Sequence, residues 1–186
     1  VNNISIFYIL ILLMISVSKN ESNKKVEADK SIEEFETNTA LHAFLKASKI
    51  NSRSQVPVQV TNDLLESFCH ITNNNKILLD YRIFKYIART STYDALIKHI
   101  SNKINLVLST SSTFSVHICT KLLTISGADK HILFIYKLTE SLNSSYPDKL
   151  EKCYIYDAPF IFQKIIGMLS LIVDKKTLSK ITIVNS

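Results

Sequence analysis

The stretch Tyr146–Val184 constrains this chain more than any other, because it alternates strand and helix signals within one short span. It opens on Tyr146-Pro147, where the proline fixes φ, lacks an N–H and stops a preceding helix. Lys152-Cys153-Tyr154-Ile155-Tyr156 follows, rich in β-preferring residues, and reads as a strand. Asp157-Ala158-Pro159 ends it, with Pro159 suited to the first turn of a helix. Phe160 to about Val173 is apolar almost all round, so this predicted helix must be covered by protein or lie against lipid. After the polar break Asp174-Lys175-Lys176, Ile181–Val184 reads as a second strand. Strand, helix and strand in this order predict a right-handed βαβ crossover with the two strands parallel.

The remainder of the chain adds room and narrows the chemistry. Its 186 residues hold one domain with a leader, and 46% hydrophobic against 20% charged residues fits a globular core. Two glycines, Gly127 and Gly167, argue against a glycine-rich nucleotide loop, and three prolines with them argue against many tight hairpins. The formal charge of +6 suits an anionic membrane surface or a phosphate head group, or simply a solvated basic face. Charge alone does not separate these from nucleic acid. Cys69, Cys119 and Cys153 have no paired spacing and read as reduced, buried thiols.

Toward the amino end, Ile4–Val17 is apolar apart from Ser5 and Ser16, and Ser18–Lys30 is a polar linker. The apolar run falls short of the ~20 residues of a spanning helix. It reads as a signal or anchor core with Ser16-Val17-Ser18 as a cleavage site, or as a spurious leader, or as a core helix. Val1 in place of Met points to a processed or partial chain. Ser31 with Glu34 has capping-box character ahead of a helical face at Leu41, Phe44 and Leu45. Val56-Pro57-Val58 interrupts, and Leu64, Leu65 and Phe68 resume a helical face.

The middle is less decided. Ile77-Leu78-Leu79 reads as a strand or as the start of a helix through Phe84 and Ile87; Thr92–Ile100 as a short helix; Ile104–Leu108 as a buried strand. Thr113–Ile125 and His131–Leu142 read as helices around Gly127. A catalytic constellation is missing: His42, His70, His99, His117 and His131 lack metal-ligand spacing and read as partly exposed helix residues. The hydroxyl-rich Ser109–Ser115 reads either as a turn with an N-cap or as a helix amino terminus that cradles phosphate.

Several of these features, in this order, resemble the CRAL-TRIO lipid-transfer family: Tyr146-Pro147-Asp148-Lys149-Leu150, a strand ending in Asp157-Ala158-Pro159, an aromatic-containing helix, then Asp174 and Thr177 leading to Lys180-Ile181. Leu41–Asn51 resembles the same family's amino-terminal helical segment, although Ser48 stands where arginine is usual and a Gly-Arg-Pro-led strand is absent. The resemblance implies an α/β fold, a mostly parallel β-sheet flanked by helices, with a small N-terminal helical lobe. The expected division is 1–30 leader and linker, 31–75 helical lobe, and 76–186 lipid-binding core, incomplete at its carboxy end.

By the same resemblance, Lys49, Asp148 and Lys180 fall where phosphoinositide-binding members hold the lipid head group; Asp148 is one methylene shorter than the usual glutamate. Phe160, Phe162, Ile165, Ile166, Leu169, Ile172 and Val173 fall on the gate over the cavity. The function implied is non-enzymatic binding and transfer of one lipid, phosphatidylinositol among the options. A protein-interaction adaptor without lipid transfer is the alternative. Expected partners are the lipid and a transient membrane surface, with no nucleic acid and no cofactor beyond the bound lipid. The expected location is cytoplasmic at membranes, or the secretory pathway if residues 4–17 act as a signal or anchor.

Overall fold

The computed structural model describes residues 60–72, 75–123, 130–158 and 179–184. Its frame is a five-stranded sheet in the order β1-β2-β3-β4-β5, formed by β1 (Cys69–Thr72), β2 (Lys76–Asp80), β3 (Phe114–Cys119), β4 (Leu150–Tyr156) and β5 (Ile181–Val184). β1 and β2 pair antiparallel, Thr72 opposite Lys76, and Asn75 just before β2 takes φ 64°. Asparagine tolerates that left-handed region through local hydrogen bonding; here its Nδ2 donates to Ser111 Oγ at 2.8 Å. The other three pairings are parallel. β4 and β5 are direct parallel neighbours, Cys153 opposite Ile181, as the strand–helix–strand reading required.

Four helices are described. In α1 (Asn62–Phe68), Thr61 caps the first turn by accepting from Leu64 N, and Leu64, Leu65 and Phe68 meet the core. Asp80 ends β2 and caps α2 (Tyr81–Ile87), accepting from Arg82 N at 2.8 Å. A 3-10 turn at Thr90–Thr92 leads into α3 (Tyr93–Leu108), and α4 (Ile132–Ser145) stops at the Tyr146-Pro147 turn. The sheet takes in Cys69–Thr72, so it begins before residue 76, where the core was expected to start.

Two middle segments differ from expectation. Ile104–Leu108 is the last part of α3 and not a strand, because Ile104 and Val107 extend the buried stripe of Leu96 and Ile100 at helical spacing. Phe114–Cys119 is a strand and not a helix. Both its faces are covered, so its residues show neither clean alternation nor an exposed polar stripe.

The main core lies on one face of the sheet. Phe68, Phe84, Leu96, Ile100, Ile104, Phe134 and Leu142 from the helices meet Ile77, Phe114, Val116, Cys153 and Ile155 from the strands. With strands in sequential order, β2-α2-α3-β3 and β3-α4-β4 step the same way across the sheet, and crossovers of one hand return helices to one face. All four described helices contribute to this one core. His131, at the start of α4, is sealed into it: Nδ1 is 2.9 Å from Tyr93 OH, and the ring meets Phe84 edge-on. Burial, helped by Lys130 and Arg89, pushes its pKa below the usual histidine value.

Candidate functional site on the second face of the sheet

Strand alternation sends a second set of side chains to the opposite face. Leu78, Cys119 and Tyr156 form a separate cluster there, with Tyr154 and Val184 packed against it. No described helix belongs to it. Register aligns His70, Leu78, His117, Tyr154 and Thr182 in one row, and Asp80, Cys119, Tyr156 and Val184 in the next.

His117 sits at the centre, 1% exposed. Its ring stacks on Tyr154 with centroids 4.6 Å apart and lies nearly parallel to Tyr156 at 5.8 Å, while Nδ1 is 2.7 Å from Tyr156 OH. The face is thus apolar and aromatic with a hydrogen-bonded polar centre. Such a surface suits an amphipathic ligand: flat rings and aliphatic groups supply contact area, and a few placed polar groups set orientation.

The carboxyl ends of the strands carry a buried ion pair. Arg82 forks onto Asp80, Nε donating to Oδ1 at 3.0 Å and Nη2 to Oδ2 at 2.7 Å. Thr120 Oγ1 closes the neighbouring turn on the Tyr156 carbonyl at 2.8 Å. Cys119 and Cys153 face opposite sides of the sheet. Burial pushes the Cys119 thiol up to about 11, with Asp80 adding to it, and pushes Cys153 up to about 12. Both are protonated at neutral pH, which suits packing and not nucleophilic attack. Cys69 is likewise buried and free of disulfide.

The amino ends of β4 and β5 hold two of the three residues expected at a head group. Asp148 is exposed in the turn before β4, with φ 59°. Lys180 is half-buried, its Nζ donating to the Leu150 carbonyl at 2.8 Å. Both therefore stand beside the start of β4, but no ion pair joins them. Lys49 and the gate residues Phe160, Phe162, Ile165, Ile166, Leu169, Ile172 and Val173 lie outside the described residues.

Among the described residues, no group of His, Cys, Asp and Glu could hold a metal ion. The histidine expectation is met by His99 on α3, whose Nε2–H donates to the Cys69 carbonyl at 2.8 Å. It fails for His117, which is in a strand, and for His131; both are buried. Ser109–Ser115 follows a helix carboxyl end, where Ser109, Thr110 and Ser111 hydroxyls donate to backbone carbonyls. The phosphate-cradle reading fails there, since a helix carboxyl end is the negative pole. The sequence does not single out His117, Tyr154 and Tyr156, because Thr113–Ile125 reads as a helix; alternation within Lys152–Tyr156 is the available signal.

The segment that builds most of this face matches a known family model. Residues 115–186 match the family model of the CRAL/TRIO domain. That segment is similar to CRAL/TRIO domains. It spans β3, α4, β4 and β5, and so takes in His117, Cys119, Tyr154, Tyr156 and Val184 of the second face. It also extends the resemblance seen at Tyr146–Asn185 back through β3. A CRAL/TRIO domain suggests binding of a lipophilic ligand. No curated protein matches the chain.

Proposed function

We propose that this protein binds a lipophilic ligand against the second face of its sheet and exchanges it at a membrane, with a phospholipid such as phosphatidylinositol as cargo. The observation that carries the reading is the cluster of Leu78, Cys119, Tyr154, Tyr156 and Val184, opposite the helical core and largely within the CRAL/TRIO segment. This apolar face, whose Leu78, Cys119 and Tyr156 are buried although no described helix packs on them, is where the reading puts a lipid-binding floor. In this reading the protein is a carrier and not an enzyme, needs no cofactor beyond its lipid, and works as a peripheral, cytoplasmic visitor to membranes. Lys49, Asp148 and Lys180 keep the head-group roles that the resemblance implies. Among the described residues no helix is long and apolar enough to cross a membrane.

Native mass spectrometry of the purified chain, followed by uptake of fluorescent phosphatidylinositol from vesicles, tests this. The expected result is one lipid per chain, and weaker uptake when Tyr154→Asp puts a charge on the apolar face. A folded chain that takes up no lipid of any class defeats the proposal and leaves the protein-interaction adaptor.

A further inference from the structure

One row of the second face, at the amino ends of the parallel strands, is basic and not aromatic. Register places Lys76, Ser115 and Lys152 side by side on β2, β3 and β4. Cys153 N donates to the Lys180 carbonyl at 2.7 Å, which extends the β4–β5 ladder by one residue. Lys180 therefore continues the row beside Lys152, with backbones roughly 5 Å apart. The two lysines are anchored reciprocally: Lys152 Nζ donates to the Ser179 carbonyl at 2.7 Å, and Lys180 Nζ to the Leu150 carbonyl at 2.8 Å.

A carbonyl orients an ammonium without cancelling its charge. Neither lysine forms an ion pair among the described residues. Glu151 Oε2 accepts from Thr113 Oγ1 at 3.2 Å, and Asp148 is exposed in its turn. Like charges directly opposite in a sheet destabilise it. Here both are half-buried, where screening by solvent is weaker.

A register irregularity singles out the same place. Phe114 pairs with Leu150 but Ser115 pairs with Lys152, so Glu151 is an extra residue. Were Glu151 paired in regular alternation, Leu150 and Lys152, two residues apart, would share a face. With Glu151 bulged, Leu150 enters the helical core and Lys152 points with Tyr154 and Tyr156 to the second face.

We infer that Lys152 and Lys180, with the Ser115 hydroxyl beside them, form a two-lysine site for a phosphate-bearing group at the basic end of the apolar face. The inference rests on the proposed lipid function for the identity of the ligand, but the anion chemistry stands on this row alone. An anion between the two ammonium groups accepts charge-assisted hydrogen bonds from both and relieves their repulsion. Lys152, which neither its place in a motif nor the family resemblance marked out, is the new member of the site.

The test uses the full chain and its Lys152→Met and Lys180→Met variants. Uptake of phosphatidylinositol and of uncharged diacylglycerol from phosphatidylcholine vesicles is measured for each, with thermal midpoints in inorganic phosphate and in chloride at equal ionic strength. A lipid head group at the site predicts that Lys152→Met weakens phosphatidylinositol uptake about tenfold or more and leaves diacylglycerol uptake unchanged. A free phosphate ligand predicts that inorganic phosphate raises the midpoint of the unsubstituted chain and not of either variant, whatever lipids do. If the unsubstituted chain takes up neither lipid, the lipid function falls while the phosphate arm still decides the site. Phosphatidylinositol uptake equal to that of the unsubstituted chain, or equal loss of both lipids, together with no phosphate-dependent midpoint shift, overturns it.

Discussion

Asp80 and Arg82 illustrate how much depends on single side chains. Asp80 is 2% exposed and does two things at once: it caps α2 and holds the Arg82 guanidinium through a forked pair. Replacing a buried ion pair by apolar groups is often neutral, whereas removing one partner is strongly destabilising. Asp80→Asn keeps the shape and a capping oxygen but removes the counter-charge. It is expected to cost about 3–5 kcal/mol in urea unfolding, and a second change, Arg82→Met, is expected to restore part of the loss. A cost under about 1 kcal/mol for Asp80→Asn would place the pair among interactions of surface strength.

Among elements, β4 does the most sorting. Its extra residue sends Leu150 into the helical core while Lys152 points to the opposite face. Deleting Glu151 makes Leu150 and Lys152 consecutive, and regular strand alternation then keeps them on opposite faces, paired with Phe114 and Ser115, so the deletion removes the bulge without turning either side chain over. The deletion is therefore expected to be tolerated, at a cost of less than about 1 kcal/mol. Glu151→Ala, which keeps the bulge, is expected to change stability by less than about 0.5 kcal/mol. Thermal or denaturant unfolding of the two variants side by side is the measurement. A loss of about 2–4 kcal/mol on deletion but not in Glu151→Ala would show that the bulge itself holds Leu150 in the core.

For the whole molecule, the layout ranks stability from the middle of the sheet outward. β3 has parallel neighbours on both sides and side chains buried on both faces, whereas β1 has one neighbour among the described strands and carries the exposed Ile71. Amide hydrogen exchange is expected to be slowest at Val116–Ile118 and faster by at least about tenfold in β1, because protection tracks how cooperative an opening must be. Comparable rates in β1 and β3 would mean that the sheet opens only as a unit.

Much of this protein was legible in order along the chain. Tyr146-Pro147 stopping a helix, Cys153–Tyr156 and Ile181–Val184 as strands, and the buried free thiols all follow from backbone restriction and local preference, which act over a few residues. The family resemblance was legible for the same reason, being carried by linked local motifs. Other features depended on partners distant in sequence. Phe114–Cys119 is a strand because β2 and β4 flank it, and Ile104–Leu108 is helical because the α3 stripe continues into the core. His117 meets Tyr154 and Tyr156 only across a parallel ladder, and Lys152 stands beside Lys180 only because β4 and β5 pair in parallel. Local sequence chose β4, β5 and the helix stop before them. Pairing between strands far apart in the chain decided which side chains share a face, and the candidate site is a property of that face.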